Sequence, residues 1–85
     1  MRRAGRKDGT QNRIVLALRK AGTSVEISNQ EGWPDLACWN GRRGTRFLEC
    51  KSHRGKLTQE QKQFTIPFTV VHTEEEALLA MGYEF

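Results

Sequence analysis

Glu49-Cys50-Lys51 sets a carboxylate and an ammonium two residues apart, and a second carboxylate, Asp35, follows Pro34 upstream. Side chains alternate across an extended strand, so Glu49 and Lys51 project from one face and Cys50 from the other. Two carboxylates and a lysine gathered on one face suit hydrolysis of a phosphodiester. Magnesium takes one or two carboxylates and fills its remaining positions with water and substrate phosphate. It lowers the pKa of a bound water and offsets charge on the phosphate. Lys51, close to that water, would orient or help activate the nucleophile and balance the growing negative charge. The plain alternative is an ordinary ion pair, Glu49 with Lys51 or Asp35 with Arg54. That is the usual meaning of a lone Glu-x-Lys triplet, and such surface pairs are worth little. What weighs against it is the company the triplet keeps.

A hairpin has to bring the two acids together. Pro34-Asp35 opens a short apolar run, Leu36 to Trp39, and proline is tolerated at a strand's first position. Asn40-Gly41-Arg42-Arg43-Gly44 is strong turn chemistry. Thr45 to Lys51 then reads as the returning strand. Opposed residues of an antiparallel pair share a face. If Asp35 opposes Glu49, Leu36 faces Leu48, Ala37 faces Phe47 and Trp39 faces Thr45. A slip of one residue would send the carboxylates to opposite faces. The chemistry therefore requires an odd-length loop, here Asn40 to Gly44.

The remaining elements follow from periodicity and punctuation. Residues 1–9 are basic, contain glycine and lack apolar periodicity, so they read as a flexible arm. Residues 10–85 form one domain. Ile14, Val15, Ala17 and Leu18 share a helical face, with Thr10 as N-cap and Gly22 as terminator, giving a helix over Thr10–Ala21. Ser24–Ser28 alternates as a strand. Ser52–Lys56 is a polar, basic loop. Thr58-Gln59-Glu60-Gln61 matches a capping box and opens a helix to about Phe64, which Pro67 ends. Phe68–His72 is β-prone. Thr73-Glu74-Glu75-Glu76 matches a second capping box, with a helix to Met81 closed by Gly82. The order is αβββαβα.

The whole chain sets limits on this reading. A domain of 85 residues has a thin core and often leans on a metal or a partner subunit. Cys38 and Cys50, the only cysteines, are too few for a disulfide scaffold. No apolar run follows Met-Arg-Arg and none approaches a membrane span, so the expectation is a cytoplasmic protein with no membrane partner. The net charge is +4 and unevenly spread. Arginines and lysines crowd the first twenty residues and recur from Arg42 to Lys62, whereas the tail after Lys62 is acidic. Such polarity is the footprint of a phosphate-backbone binder, or simply of a solvated basic surface.

These residues also resemble a known family. Gly32-Trp33-Pro34-Asp35-Leu36, Phe47-Leu48-Glu49-Cys50-Lys51 and Gly55-Lys56-Leu57-Thr58-Gln59-Glu60-Gln61 together resemble the VRR-NUC (virus-type replication-repair nuclease) group of the PD-(D/E)xK nuclease superfamily. The last block looks like that group's Gly-x-Leu-(Ser/Thr)-x-x-Gln segment, and the likeness spans about Thr10 to Met81. It implies an α/β (α+β) fold: a PD-(D/E)xK core with a mixed four-stranded sheet flanked by helices. It also implies a Mg²⁺- or Mn²⁺-dependent endodeoxyribonuclease. By the same resemblance Asp35, Glu49 and the main-chain carbonyl of Cys50 are metal ligands. Lys51 is then the catalytic lysine, and Gln61 stands near the metal or the DNA. Stand-alone members are small, often viral, and similar to homodimeric Holliday-junction resolvases of DNA repair. That implies a homodimer acting on branched DNA, in the host cytoplasm if viral. One departure stands out. The family's acidic residue on the first helix is matched here by Gln11, which offers only a neutral oxygen, and Asp8 is the only acid nearby.

Other residues carry weaker signals. Arg42, Arg43, His53, Arg54 and Lys56 are candidate DNA-backbone contacts. Trp33 would stack on a base or cover the core, and His72 reads as structural. Cys38, Cys50, His53 and His72 match no common zinc spacing. Two other functions stay open: a less selective nuclease on flaps or duplex DNA, and a non-catalytic DNA-binding module of the same fold. Gln11 is the best support for the second.

Overall fold

The computed structural model describes the backbone of residues 4–52 and 55–84, and the side chains of residues 9–52 and 55–84. Seven elements follow one another: α1 (Ala4–Ala21), β1 (Ser24–Ile27), β2 (Leu36–Asn40), β3 (Gly44–Cys50), α2 (Gln59–Lys62), β4 (Phe68–Val71) and α3 (Glu74–Ala80). The expected order is recovered. One boundary differs substantially: α1 starts at Ala4, so residues 4–9 of the expected arm are helical and Thr10 lies inside the helix. No proline or β-branched residue intervenes between Ala4 and Gly9, and Ala, Arg and Lys favour helix enough to carry the two glycines. Residues 1–3 of the expected arm lie outside the described residues.

The four strands form one mixed sheet in the order β1-β2-β3-β4. The first three make an antiparallel meander, and β4 joins β3 in parallel after a crossover containing α2. α1 packs on β1, β3 and α3, and α3 packs on β4. Between helices and sheet lies the core: Ile14, Val15 and Leu18 of α1, Val25, Leu36, Cys38, Leu48, Cys50 and Val71 of the strands, and Ala77 and Met81 at α3. Each fully buried leucine contributes roughly 1.5–3 kcal/mol relative to leaving it in water. The opposite sheet face carries an aromatic group. Trp33 stands 5.1 Å from Phe64, and Phe64 lies 5.9 Å from both Phe47 and Phe68.

The β2–β3 register is the one the chemistry requires: Leu36 opposes Leu48, Ala37 opposes Phe47 and Trp39 opposes Thr45. Asn40 and Gly44 still pair, which leaves Gly41–Arg43 as a three-residue loop. Gly44 takes the left-handed φ of +72° that this odd-length turn needs. Asn40 does more than turn the chain. Its Oδ1 accepts the main-chain N–H groups of Arg42 and Arg43 at 3.0 and 2.8 Å. Its buried Nδ2 donates to Thr23 Oγ1 and the Met81 carbonyl, which ties the hairpin to the ends of α1 and α3. Both helix ends close with paired Schellman bonds, Thr23 to Leu18 with Gly22 to Arg19, and Tyr83 to Leu78 with Gly82 to Leu79.

The second expected capping box is half made. Thr73 Oγ1 accepts the Glu76 N–H, but the Glu76 carboxylate accepts the N–H of His72 at 2.7 Å. No helix among the described residues is long and apolar enough to cross a membrane.

Candidate active site

Asp35 and Glu49 meet where β2 opens and β3 closes. Main-chain N–H groups hold both side chains. The Asp35 N–H donates to Glu49 Oε1, and the Cys50 N–H donates to Asp35 Oδ2, both at 3.0 Å. Glu49 is completely buried and Asp35 is 8% exposed. Strand alternation explains the rest. Glu49 and Lys51 share a face, and the Lys51 ammonium lies 3.4 Å from Glu49 Oε2. Cys50 points the other way, into the core.

Gln61 completes this arrangement. Thr58 caps α2, accepting the Gln61 N–H at 3.1 Å, while Gln61 Oε1 accepts the Thr58 N–H at 2.9 Å. The capping box uses only the amide oxygen. The Gln61 Nε2 is left to donate to Glu49 Oε2 at 2.6 Å. A glutamate at this position would make the same cap but set a third carboxylate against Glu49. The sequence signal was the choice of Gln over Glu at the third position of the box.

The electrostatics follow. The Glu49 carboxyl is held above the usual carboxylate range, first by burial and then by the charge of Asp35. Lys51 and the Asp35 N–H pull it back without cancelling the rise. Such a buried pair of acids has room for additional positive charge. Gln61→Glu should therefore destabilise the fold by about 1–3 kcal/mol near neutral pH. The loss should shrink on acidification, because the introduced carboxyl, once protonated, donates to Glu49 as the amide does. Urea melts at two pH values check this. A deficit independent of pH would contradict it.

A cleft of about 400 Å³ opens beside the acids. Asp35, Gln11, Gln61, Trp33 and the loop Ser28–Gly32 line it, and so do Thr58 and Glu60. Gln11 therefore reaches the same cleft as Asp35. The lining by Asn29, Gln30, Glu31 and Glu60 was not foreseen. No periodic or motif signal in the loop Ser28–Gly32 marks it. Among the described residues no group of three or more His, Cys, Asp and Glu is placed to hold a metal ion. The donors at hand are two carboxylates plus neutral amide and main-chain oxygens. That hard-oxygen set fits magnesium, which keeps much of its water and takes few carboxylates. Each carboxylate oxygen of Glu49 already accepts a hydrogen bond, yet a carboxylate offers about four lone-pair positions.

The candidate DNA contacts separate in space. Lys56 is exposed on the loop that follows Lys51. Arg42 and Arg43 sit at the hairpin tip, beyond the far end of β2 from Asp35, and five strand residues span about 17 Å. Arg42 stacks over the Tyr83 ring at 5.3 Å. His53 and Arg54 lie outside the described residues. Cys38 and Cys50 are thiols buried in the core. Burial pushes the Cys38 thiol up to about 12, so it stays protonated. Comparison with protein families, with curated proteins and with solved structures finds no match to this chain.

Proposed function

We propose that the chain is a Mg²⁺- or Mn²⁺-dependent DNA endonuclease with a PD-(D/E)xK core, selective for branched DNA and acting as a homodimer. The single observation that carries this reading is the Asp35–Glu49–Lys51 constellation. Two buried carboxylates, each accepting a main-chain N–H, and an ammonium 3.4 Å from one of them stand together, and Asp35 opens onto a cleft. An ion pair formed only for stability would not need the second acid. Asp35 raises the cost of keeping Glu49 ionised, and strain of this kind gathers at functional sites. The αβββαβ order and the three sequence blocks support the same family.

In this reading Asp35 and Glu49 would hold the metal, with the Cys50 carbonyl and the Gln11 amide as neutral oxygen donors. The bound metal supplies a water of lowered pKa and charge stabilisation at the phosphate. Lys51, its ammonium 3.4 Å from Glu49, would orient the attacking water and balance charge on the phosphate. Gln61 fixes the rotamer of Glu49. Two copies about a two-fold axis suit paired incisions in a four-way junction.

The test is cleavage of a labelled four-way junction, a flap and a linear duplex, with and without Mg²⁺ or Mn²⁺. Metal-dependent cutting that favours the junction supports the proposal. Equal cutting of all three marks a less selective nuclease. Salt-sensitive binding with no cutting under any metal marks the non-catalytic module, the reading that Gln11 favours.

A further inference from the structure

We propose that Gly55 is a positioning residue for Lys51: the turn after β3 brings its backbone so close to the lysine stem that a side chain there would move the ammonium. The inference rests on the assignment of Lys51 to the proposed nuclease site. The Gly55 N–H donates to the Ser52 carbonyl at 2.9 Å. A Cβ at position 55 would lie 3.1 Å from Lys51 Cδ, 3.2 Å from Lys51 Cβ and 3.3 Å from the Ser52 carbonyl oxygen. What calls for glycine here is the close approach.

The three neighbours differ in how they can yield. The Ser52 carbonyl and Lys51 Cβ belong to the backbone and the root of a strand residue. Lys51 Cδ lies on a flexible stem. A new methyl group therefore displaces the stem, and with it the ammonium 3.4 Å from Glu49 Oε2. The side chain of Lys51 is only 13% exposed, so few other positions are open to it. The position of the charge does change, and a misplacement of roughly 1 Å in a catalytic constellation costs up to about 100-fold in rate.

The experiment compares Gly55→Ala with the parent chain by cleavage kinetics on DNA and by crystal structure. The expected result is kcat lower by about 10- to 100-fold with KM unchanged, and a Lys51 ammonium no longer within ion-pair distance of Glu49. An unchanged kcat in an active enzyme, or an ammonium still on Glu49 in the variant, overturns the proposal. If the parent chain cuts no DNA, the nuclease reading falls, and the crystal structure alone still decides the positioning role. If Gly55→Ala melts far below the parent, Gly55→Ala combined with Lys51→Ala, which has no Cδ, should regain much of the loss. An equal loss in the double variant also overturns it.

Discussion

Lys51→Met should lower DNA cleavage by about 10²- to 10⁴-fold while the domain stays folded. Methionine keeps an unbranched stem under the Gly55 turn and removes only the charge. Loss of that charge acts twice. It takes a positive group from beside Glu49, where the phosphate would develop negative charge. It also removes the influence that lowers the Glu49 carboxyl, so Glu49 titrates higher still. Metal binding by the variant should then require a higher pH than in the parent chain. Isothermal titration with Mn²⁺ across pH, beside single-turnover cleavage, measures both effects. A variant that cuts at the parental rate would show that Lys51 serves only as a structural ion pair.

Glu49→Gln should abolish cleavage and also destabilise the fold by about 1–3 kcal/mol, although the replacement is nearly isosteric. The reason is donor counting. Oε1 accepts from the Asp35 N–H, and Oε2 accepts from Gln61 Nε2 and lies against the Lys51 ammonium. Whichever way a glutamine amide turns, its NH₂ faces a donor. Asp35→Asn offers the contrast. Its Oδ can still accept the Cys50 N–H, and the change relieves the charge that pushes Glu49 up. That variant should lose cleavage yet keep or gain stability, as residues held under strain for function often do.

The same titration gives the parent chain a pH signature. Because Glu49 titrates higher in the folded state, the metal-free protein binds more protons folded than unfolded. Its stability therefore falls as pH rises from the usual carboxylate range through the folded pKa of Glu49. Glu49→Gln should flatten that slope, and Mg²⁺ should oppose it in the parent. A parent chain whose stability is flat through that range without metal would contradict this.

Much of this site was legible in the sequence, for a physical reason. Period-2 alternation and turn chemistry are local, and a buried sheet face tolerates no slip. The Leu36–Leu48 register of the hairpin therefore followed from demanding that two acids share a face. Helix closure at Gly22 and Gly82 was local too. The start of α1 was not. Weak propensities across Ala4–Gly9 carry no apolar stripe, so nothing in the segment alone announces a helix. Asn40 read as a turn residue, because its ties to Thr23 and Met81 depend on elements far apart in sequence. Gln61 was visible as a cap, but its bond to Glu49 needed the docking of α2 against β3. Arg42 and Arg43 looked like part of one basic surface, and only the length of the hairpin sets them apart from the acids.

The central claim is that Asp35 and Glu49 together hold a divalent metal. Soaking crystals in Mn²⁺ and locating it by anomalous scattering tests this most directly. The account predicts one strong peak bound by oxygens of both carboxylates, with Gln61 and Lys51 still on Glu49. No peak at these two acids at saturating Mn²⁺ would contradict it.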